Sequence, residues 1–429
     1  MKYCCLFLYL LCGTNVFAQP KTDTLLQNML LRSNNQLLQK VLKEKDSFRV
    51  QIIYTQINRD KKNTPSFKNY YFNTDTNLYF NPASTVKLPL AILALEKLNS
   101  LHIKDVNKYT ALQIDSSYPK QTKVYNDSTA QNLLPSIAHY IKKTFLVSDN
   151  DAYNRLYQFV GQQTINRNLH DKGYKSLRIT RQFLGLSTEE NRHTNSMRFI
   201  NKDGSLMYAQ PPAYNTDSFY FGKIIKVGRA HYNSNDSLIN EPIDFTKVNN
   251  MPLEDLQQIL QSVLFPSSVP KEQRFNLTGD DYKFLYQYLS QYPSETNYPK
   301  YDSAEYYDSY VKFYFQNGGH QLPPYIRVFN KVGWAYGFLI DVSYVVDFKN
   351  NVEFMLTSTV YVNSDGVLND DKYDEETVGW PFMYQLGQTV YQYELQRKRK
   401  HAPNLDNFKM QYETRNEKDT RPTIKNVDN

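Results

Sequence analysis

Strand-like alternation stands at both ends of this chain with helical spacing between, and that order restricts the fold more than any other feature. Near the start, Phe48, Val50, Ile52 and Tyr54 alternate with Arg49, Gln51 and Thr55, the period-two pattern of a half-buried strand. Tyr70 to Tyr79, broken near Asn73-Thr74-Asp75, reads as further strand and turn. Near the end, Phe338, Ile340, Val342, Tyr344 and Val346 alternate with Asp341, Ser343 and Asp347; a second run opens at Val352, Phe354 and Leu356 after a hairpin connection at Lys349-Asn350-Asn351. Helical spacing predicts one amphipathic helix over Leu25 to Leu42, further helices over Gln131 to Phe145, Ala152 to Val160 and Leu253 to Leu264, and a last one over Pro381 to Lys400. Strands far apart in sequence must pair to satisfy their backbones. The expected fold is therefore α+β, an antiparallel sheet formed by N- and C-terminal strands plus a mainly helical middle subdomain.

The first residues read as an export signal. Lys2 is followed by an apolar run from Tyr3 to Cys12 and by Val16-Phe17-Ala18, a small-residue cleavage pattern before Gln19. That run is shorter than the about 20 residues a membrane-spanning helix needs. Cys4, Cys5 and Cys12 are the only cysteines and all lie inside it, so a mature chain beginning near Gln19 has no thiol for disulfides or metal ligation. Lipidation at Cys12 is disfavoured because Tyr9-Leu10-Leu11 lacks the small residue such processing prefers. A net charge of +7 with interspersed signs suits solubility rather than nucleic-acid binding. The dense run Arg397-Lys398-Arg399-Lys400 closes a predicted helix, where cations complement the helix dipole. The tail, 401–429, is too poor in apolar residues to fold alone and is expected to be disordered.

Ser84-Thr85-Val86-Lys87 opens a nearly continuous apolar stretch to Leu98, expected to be a buried helix with Ser84 at its start. Residues three apart on a helix share a face, so the hydroxyl and the amine are within reach of each other. A lysine in a dry cleft beside other cations has a lowered pKa and can take the serine's proton. Alone, Ser-x-x-Lys is a weak pattern. Ser148-Asp149-Asn150 follows it at the start of a predicted helix, and Lys331-Val332-Gly333 precedes the late alternating strand. Three motifs in this order and context resemble the class A β-lactamases and penicillin-binding proteins. The likeness runs from about Leu25 to Lys400, with an expansion within about 198–325 that separates the second and third motifs. A competing Lys226-Val227-Gly228 is followed by Asn-rich, turn-like sequence, so the third motif is assigned to Lys331.

The resemblance implies that Ser84 attacks a carbonyl, Lys87 accepts its proton, and Ser148 passes a proton to the leaving nitrogen. It also implies that Asn150 holds Lys87 and the substrate amide, that Lys331 binds a substrate carboxylate, and that the backbone amides of Ser84 and Trp334 form an oxyanion hole. Such a hole contributes about 3 kcal/mol of transition-state stabilisation per donor. The implied function is an exported, periplasmic serine hydrolase acting through an acyl-enzyme on a β-lactam or a D-alanyl peptide, with no cofactor, no nucleic-acid partner and no membrane span after signal cleavage. A non-hydrolytic relative that binds such ligands and turns over slowly is the alternative. Two departures favour slow turnover. No Glu-x-x-x-Asn follows the second motif, where Arg181 is trailed two residues on by Phe183, and Val332 stands where a threonine is usual. Glu189 and Glu190 are the next candidates to activate water. His193 and the Tyr306-Tyr307-Tyr310 cluster are read as packing residues.

Overall fold

The structure, a computed structural model, describes residues 20–316, 318–416 and 418–427. The segment read as an export signal, with all three cysteines, lies outside the described residues.

The chain contains strands β1 (Gln51–Arg59), β2 (Pro65–Phe72), β3 (Ala111–Ile114), β4 (Met197–Ile200), β5 (Leu206–Gln210), β6 (Lys226–Val227), β7 (Ala230–Tyr232), β8 (Leu238–Ile239), β9 (Ile243–Asp244), β10 (Ile326–Ala335), β11 (Phe338–Asp347), β12 (Val352–Tyr361) and β13 (Val367–Leu368). Its helices are α1 (Thr24–Leu31), α2 (Gln36–Lys43), α3 (Lys87–Leu101), α4 (Ile137–Leu146), α5 (Asn150–Val160), α6 (Gln162–Asp171), α7 (Leu253–Leu264), α8 (Gly279–Ser290) and α9 (Trp380–Gln396). Five strands form the main sheet in the order β10-β11-β12-β1-β2, and every neighbouring pair is antiparallel. The two ends of the chain meet at β1 and β12, where Tyr54 faces Leu356 and Ile53 faces Thr357.

Alternation along these strands divides the core into two layers. Ile52 and Tyr54 of β1, with Val328 and Val332 of β10, join an apolar layer that includes Leu26, Leu38, Phe382 and Leu386 of α1, α2 and α9. Ile53 and Ile57 point the other way, into a larger layer shared with α3, α4, α5 and α7. Helix α3 runs through the middle of that layer, and Leu88 to Leu95 are all buried. This is why its sequence is apolar on every face rather than amphipathic.

Some expectations change. The predicted Leu25 to Leu42 helix is broken at Ser33-Asn34-Asn35, where the Asn35 side chain accepts from Leu38 N at 2.9 Å and starts α2 as its cap. The mainly helical middle also carries short sheets, β3-β4-β5 and β6-β9 among them. Residues 401–427 are not a detached tail. They run across the helical layer with Leu405 and Phe408 each 4% exposed, and the Phe408 ring lies 4.8 Å from Tyr344 and 5.4 Å from Phe265. Further on, Glu413 accepts from Lys142 at 2.7 Å and from Tyr288 at 2.8 Å. A segment too polar to build its own core can still fill a groove in another one. The basic run beyond α9 folds back onto its last turn, where Arg397 and Arg399 both pair with the buried Glu394.

Deleting the Phe408 ring leaves a void among four aromatic side chains, so Phe408→Ala is expected to lower unfolding free energy by about 3 kcal/mol. Urea titration followed by tryptophan fluorescence measures it, and a shift below about 1 kcal/mol would mean that the strap is not part of the cooperative unit.

Candidate functional site

Ser84 lies in a 3₁₀ turn, Ala83–Val86, and α3 begins three residues later at Lys87. This places Ser84 just before the α-helix rather than on its first turn. The turn is held by local bonds: Asn81 Oδ1 accepts from Ala83 N at 2.9 Å, and Thr85 Oγ1 donates to Pro82 O at 2.5 Å. Pro89 falls in the first turn of α3, where N–H groups have no helical partner, so the helix loses no hydrogen bond there.

Strand β10 passes directly over this turn. A side chain at Gly333 would place its Cβ 2.8 Å from Pro82 O and 2.9 Å from Ser84 N, both main-chain atoms that cannot swing aside. The glycine therefore sets how close the strand comes to Ser84. Lys331 precedes the alternating strand β11, as expected, and itself lies in a strand, β10, opposite Val342 of β11. Its neighbour Val332 points into the opposite layer and is fully buried there. The Trp334 ring packs edge-on against Tyr310, with centroids 5.9 Å apart, which ties the Tyr306-Tyr307-Tyr310 cluster to this strand.

The third element is the α4–α5 junction. Ser148 adopts a left-handed φ of 62°, a conformation that costs of order 1–3 kcal/mol outside glycine. Asp149 follows as the α5 N-cap and accepts from Ala152 N at 2.8 Å, while Lys143 pairs with its other oxygen at 3.3 Å. Ser148 is thereby turned back toward α3. Lys87 Nζ donates to the Ser148 carbonyl, to Ser148 Oγ at 3.2 Å and to Asn150 Oδ1 at 2.7 Å. Lys331 Nζ donates to the same Ser148 Oγ at 2.9 Å and to Val332 O at 2.8 Å. Both lysines are essentially inaccessible to solvent.

One hydroxyl thus receives two ammonium groups. A serine oxygen that accepts twice still has its own hydrogen to give, so Ser148 can donate outward into the site. Burial first, and then the like charge of Lys87, push the Lys331 amine well below the ordinary lysine range. The Lys331 amine therefore gives up its proton more readily than a solvated lysine does, the property an amine needs to act as a base.

Phe183 completes the surroundings of Lys87. Its ring stands 4.9 Å from Lys87 Nζ and 4.6 Å from the Tyr153 ring, and Asn154 Oδ1 accepts from its backbone N–H at 2.8 Å. Asn150, Tyr153 and Asn154 share one face of α5 by their spacing, a signal present in the sequence but not used to identify the latter two. Glu190 lies elsewhere, paired with Lys120 at 2.9 Å, and Glu189 reaches toward His193 at 3.4 Å. His193 stacks on Tyr118 at 3.6 Å, away from the lysines. Lys226 is exposed on β6 and pairs within the small β6-β9 ribbon, so it is not brought to this cluster.

Behind β10 a buried network fixes the other side of the strand. Lys312 Nζ donates to Leu289 O at 2.8 Å, Val328 O at 2.9 Å and Asn330 Oδ1 at 2.6 Å, and Asn330 Nδ2 donates to Asp341 Oδ1 at 2.9 Å. Burial lowers Lys312 to about 7 and raises Asp341 to about 7. Nothing in the sequence pattern marks these residues, because their pairing arises only once the segment before β10 folds under it.

A cleft of about 350 Å³ opens beside the Ser84 turn, with Asn81 and Ala83 on one wall and Ala335 and Tyr336 on another. A larger groove of about 760 Å³ between α1 and α9 belongs to the opposite layer and contains none of these side chains.

Residues 17–205 match the model of the Beta-lactamase enzyme family, a stretch that includes Ser84, Lys87 and Ser148 to Asn150 but stops before Lys331. Among solved structures, a β-lactamase from Sphaerobacter thermophilus aligns at 13% identity and TM-score 0.45 over 83% of this chain and 96% of that one. One from Xanthomonas campestris aligns at 13% identity and TM-score 0.46 over 86% and 99%. A class A β-lactamase from Clostridium kluyveri aligns at 13% identity and TM-score 0.45 over 82% and 97%. No curated protein matches the chain. The first part of the chain, residues 17–205, thus resembles that family, and the fold as a whole is of the α+β type.

Because the methyl of Gly333→Ala would meet main-chain atoms, this variant is expected to lose about 1–3 kcal/mol of stability and most Ser84 reactivity toward an acylating probe. Thermal melting and intact mass read the two effects, and full reactivity would show that the close approach is dispensable.

Proposed function

From a β-lactamase-like fold carrying this site, we propose that the protein is an exported enzyme that forms an acyl-enzyme at Ser84 on a β-lactam or a D-alanyl peptide. The observation that carries the proposal is the convergence of Lys87 and Lys331 on Ser148 Oγ next to the Ser84 turn. Lys87 takes the Ser84 proton as Ser84 Oγ attacks the carbonyl. The tetrahedral oxyanion is held by the backbone amides of Ser84 and Trp334. Ser148 gives its hydrogen to the departing nitrogen and recovers one through the lysines, while Asn150 keeps Lys87 in place and Lys331 attracts the substrate carboxylate. The expected surroundings are the periplasm. Among the described residues no helix is long and apolar enough to cross a membrane.

Phe183 supports slow turnover. A phenyl ring beside Lys87 offers neither a base nor a hydrogen bond for the water that would release the acyl group. The protein is therefore read as an acyl-transfer site that loads readily and empties slowly, which brings it close to a penicillin-binding role.

Incubation with a penicillin should add one acyl mass at Ser84 by peptide mapping, and the adduct should persist so that nitrocefin hydrolysis remains far below that of an efficient β-lactamase. An adduct elsewhere, or none with several acylating probes, removes the assignment; rapid hydrolysis removes the slow-turnover reading.

The choice of third motif is tested separately. Lys331→Ala is expected to lose at least tenfold in acylation rate, because it deletes the group assigned to the substrate carboxylate and one of the two donors that hold Ser148 Oγ. Lys226→Ala should acylate within twofold of the parent, and the reverse pattern of rates would move the site to the other lysine.

A further inference from the structure

The cleft beside Ser84 has an uneven arrangement of charge and hydrogen-bond donors that the proposed acyl transfer does not use. Its walls include neither Ser148 nor Lys331, the groups assigned to the leaving nitrogen and to the substrate carboxylate, and do include Asn81 and Ala83 of the Ser84 turn. In the proposed reaction this cleft is left for the acyl part of the substrate.

Arg181 lines this cleft and forms no ion pair among the described residues. Beside it, Asn249 Oδ1 accepts from Thr180 N at 2.8 Å and from Arg181 N at 3.2 Å. Those two bonds fix the amide's orientation and leave Nδ2, a donor, for the cleft that Asn249 also lines.

The carboxylate in the same cleft is Asp371, which is exposed at the rim, so water screens it more than it screens the half-buried guanidinium. Donors thus outnumber acceptors at the inner end of the cleft. Resting on the proposed acyl transfer at Ser84, we infer that Arg181 and the Asn249 side-chain amide form a subsite for an anionic group, a carboxylate, on the acyl portion of the substrate. Arg181 would hold the carboxylate through paired N–H donors, with Asn249 fixing its plane.

The test uses two penicillins that differ only by a carboxylate on the acyl side chain, an α-carboxybenzyl and a benzyl form, with second-order acylation rates read by intact mass. The parent should favour the carboxylated form at least tenfold. Arg181→Ala should bring the ratio below two, and Arg181→Lys should keep part of it. Asn249→Asp retains the oxygen that accepts from Thr180 and Arg181 but replaces the donor with a negative oxygen, so it should also lose the preference. This variant keeps the test open if Arg181→Ala folds poorly. A parent ratio near one, or a ratio that survives both substitutions, overturns the subsite. Calorimetric titration of Ser84→Ala with the same two compounds separates the subsite from the chemistry. Preference there without acylation of the parent refutes acyl transfer and retains the subsite, whereas absence of preference in both measurements overturns it.

Discussion

Two buried amines sharing one hydroxyl is the interaction on which the rest of this structure turns. Lys87 and Lys331 come from a helix and an edge strand 244 residues apart, and they meet at Ser148 Oγ only if three elements are held in register. The α4–α5 junction supplies the hydroxyl through a left-handed serine and an aspartate cap. Strand β10 supplies the second amine, and Gly333 lets it approach the Ser84 turn. The Lys312-Asn330-Asp341 network holds that strand from behind. Desolvation is costly for each lysine, and bringing them together adds repulsion, so the architecture must overdetermine the geometry to keep it. A site that stores such strain is difficult to explain as packing alone.

In the proposed reaction the same environment serves one half of a hydrolytic cycle better than the other. Acylation needs a base for Ser84 and a proton for the leaving group, the roles proposed for Lys87 and Ser148. Deacylation needs a base for water. Beside Lys87 stands Phe183, which carries no basic group; its backbone is tethered to Asn154 and its ring leans on Tyr153. Glu189 and Glu190 do not compensate, because one is largely exposed and the other is paired with Lys120.

Stability is distributed in a way that protects this arrangement. The main sheet separates two apolar layers, so the strand carrying Lys331 is fixed by Val328 and Val332 below and by the helical layer above. The final segment closes over the helical layer, with Phe408 among Phe265, Tyr286, Phe329 and Tyr344 and with Glu413 joining Lys142 to Tyr288. The described residues contain no cysteine, and this strap adds long-range packing and hydrogen bonds outside the sheet.

Alternation at both ends of the chain already determined an antiparallel sheet shared by the termini, because strands with a buried face and unpaired backbones must find each other. The Ser-x-x-Lys spacing, the Ser-Asp-Asn before a helix and the Arg181 to Phe183 departure were likewise legible, since each depends on residues close in sequence. Other features were decided only by the tertiary structure. The break between α1 and α2 depends on an asparagine cap competing with helix propensity, and the placement of residues 401–427 on a groove that other segments create. The direction of Val332 away from the site follows from strand register, and the Asn249 amide reaches Arg181 from 68 residues further along the chain. Local pattern reports what a segment can form; which groups share a buried space depends on long-range packing, and no periodicity in the chain encodes that.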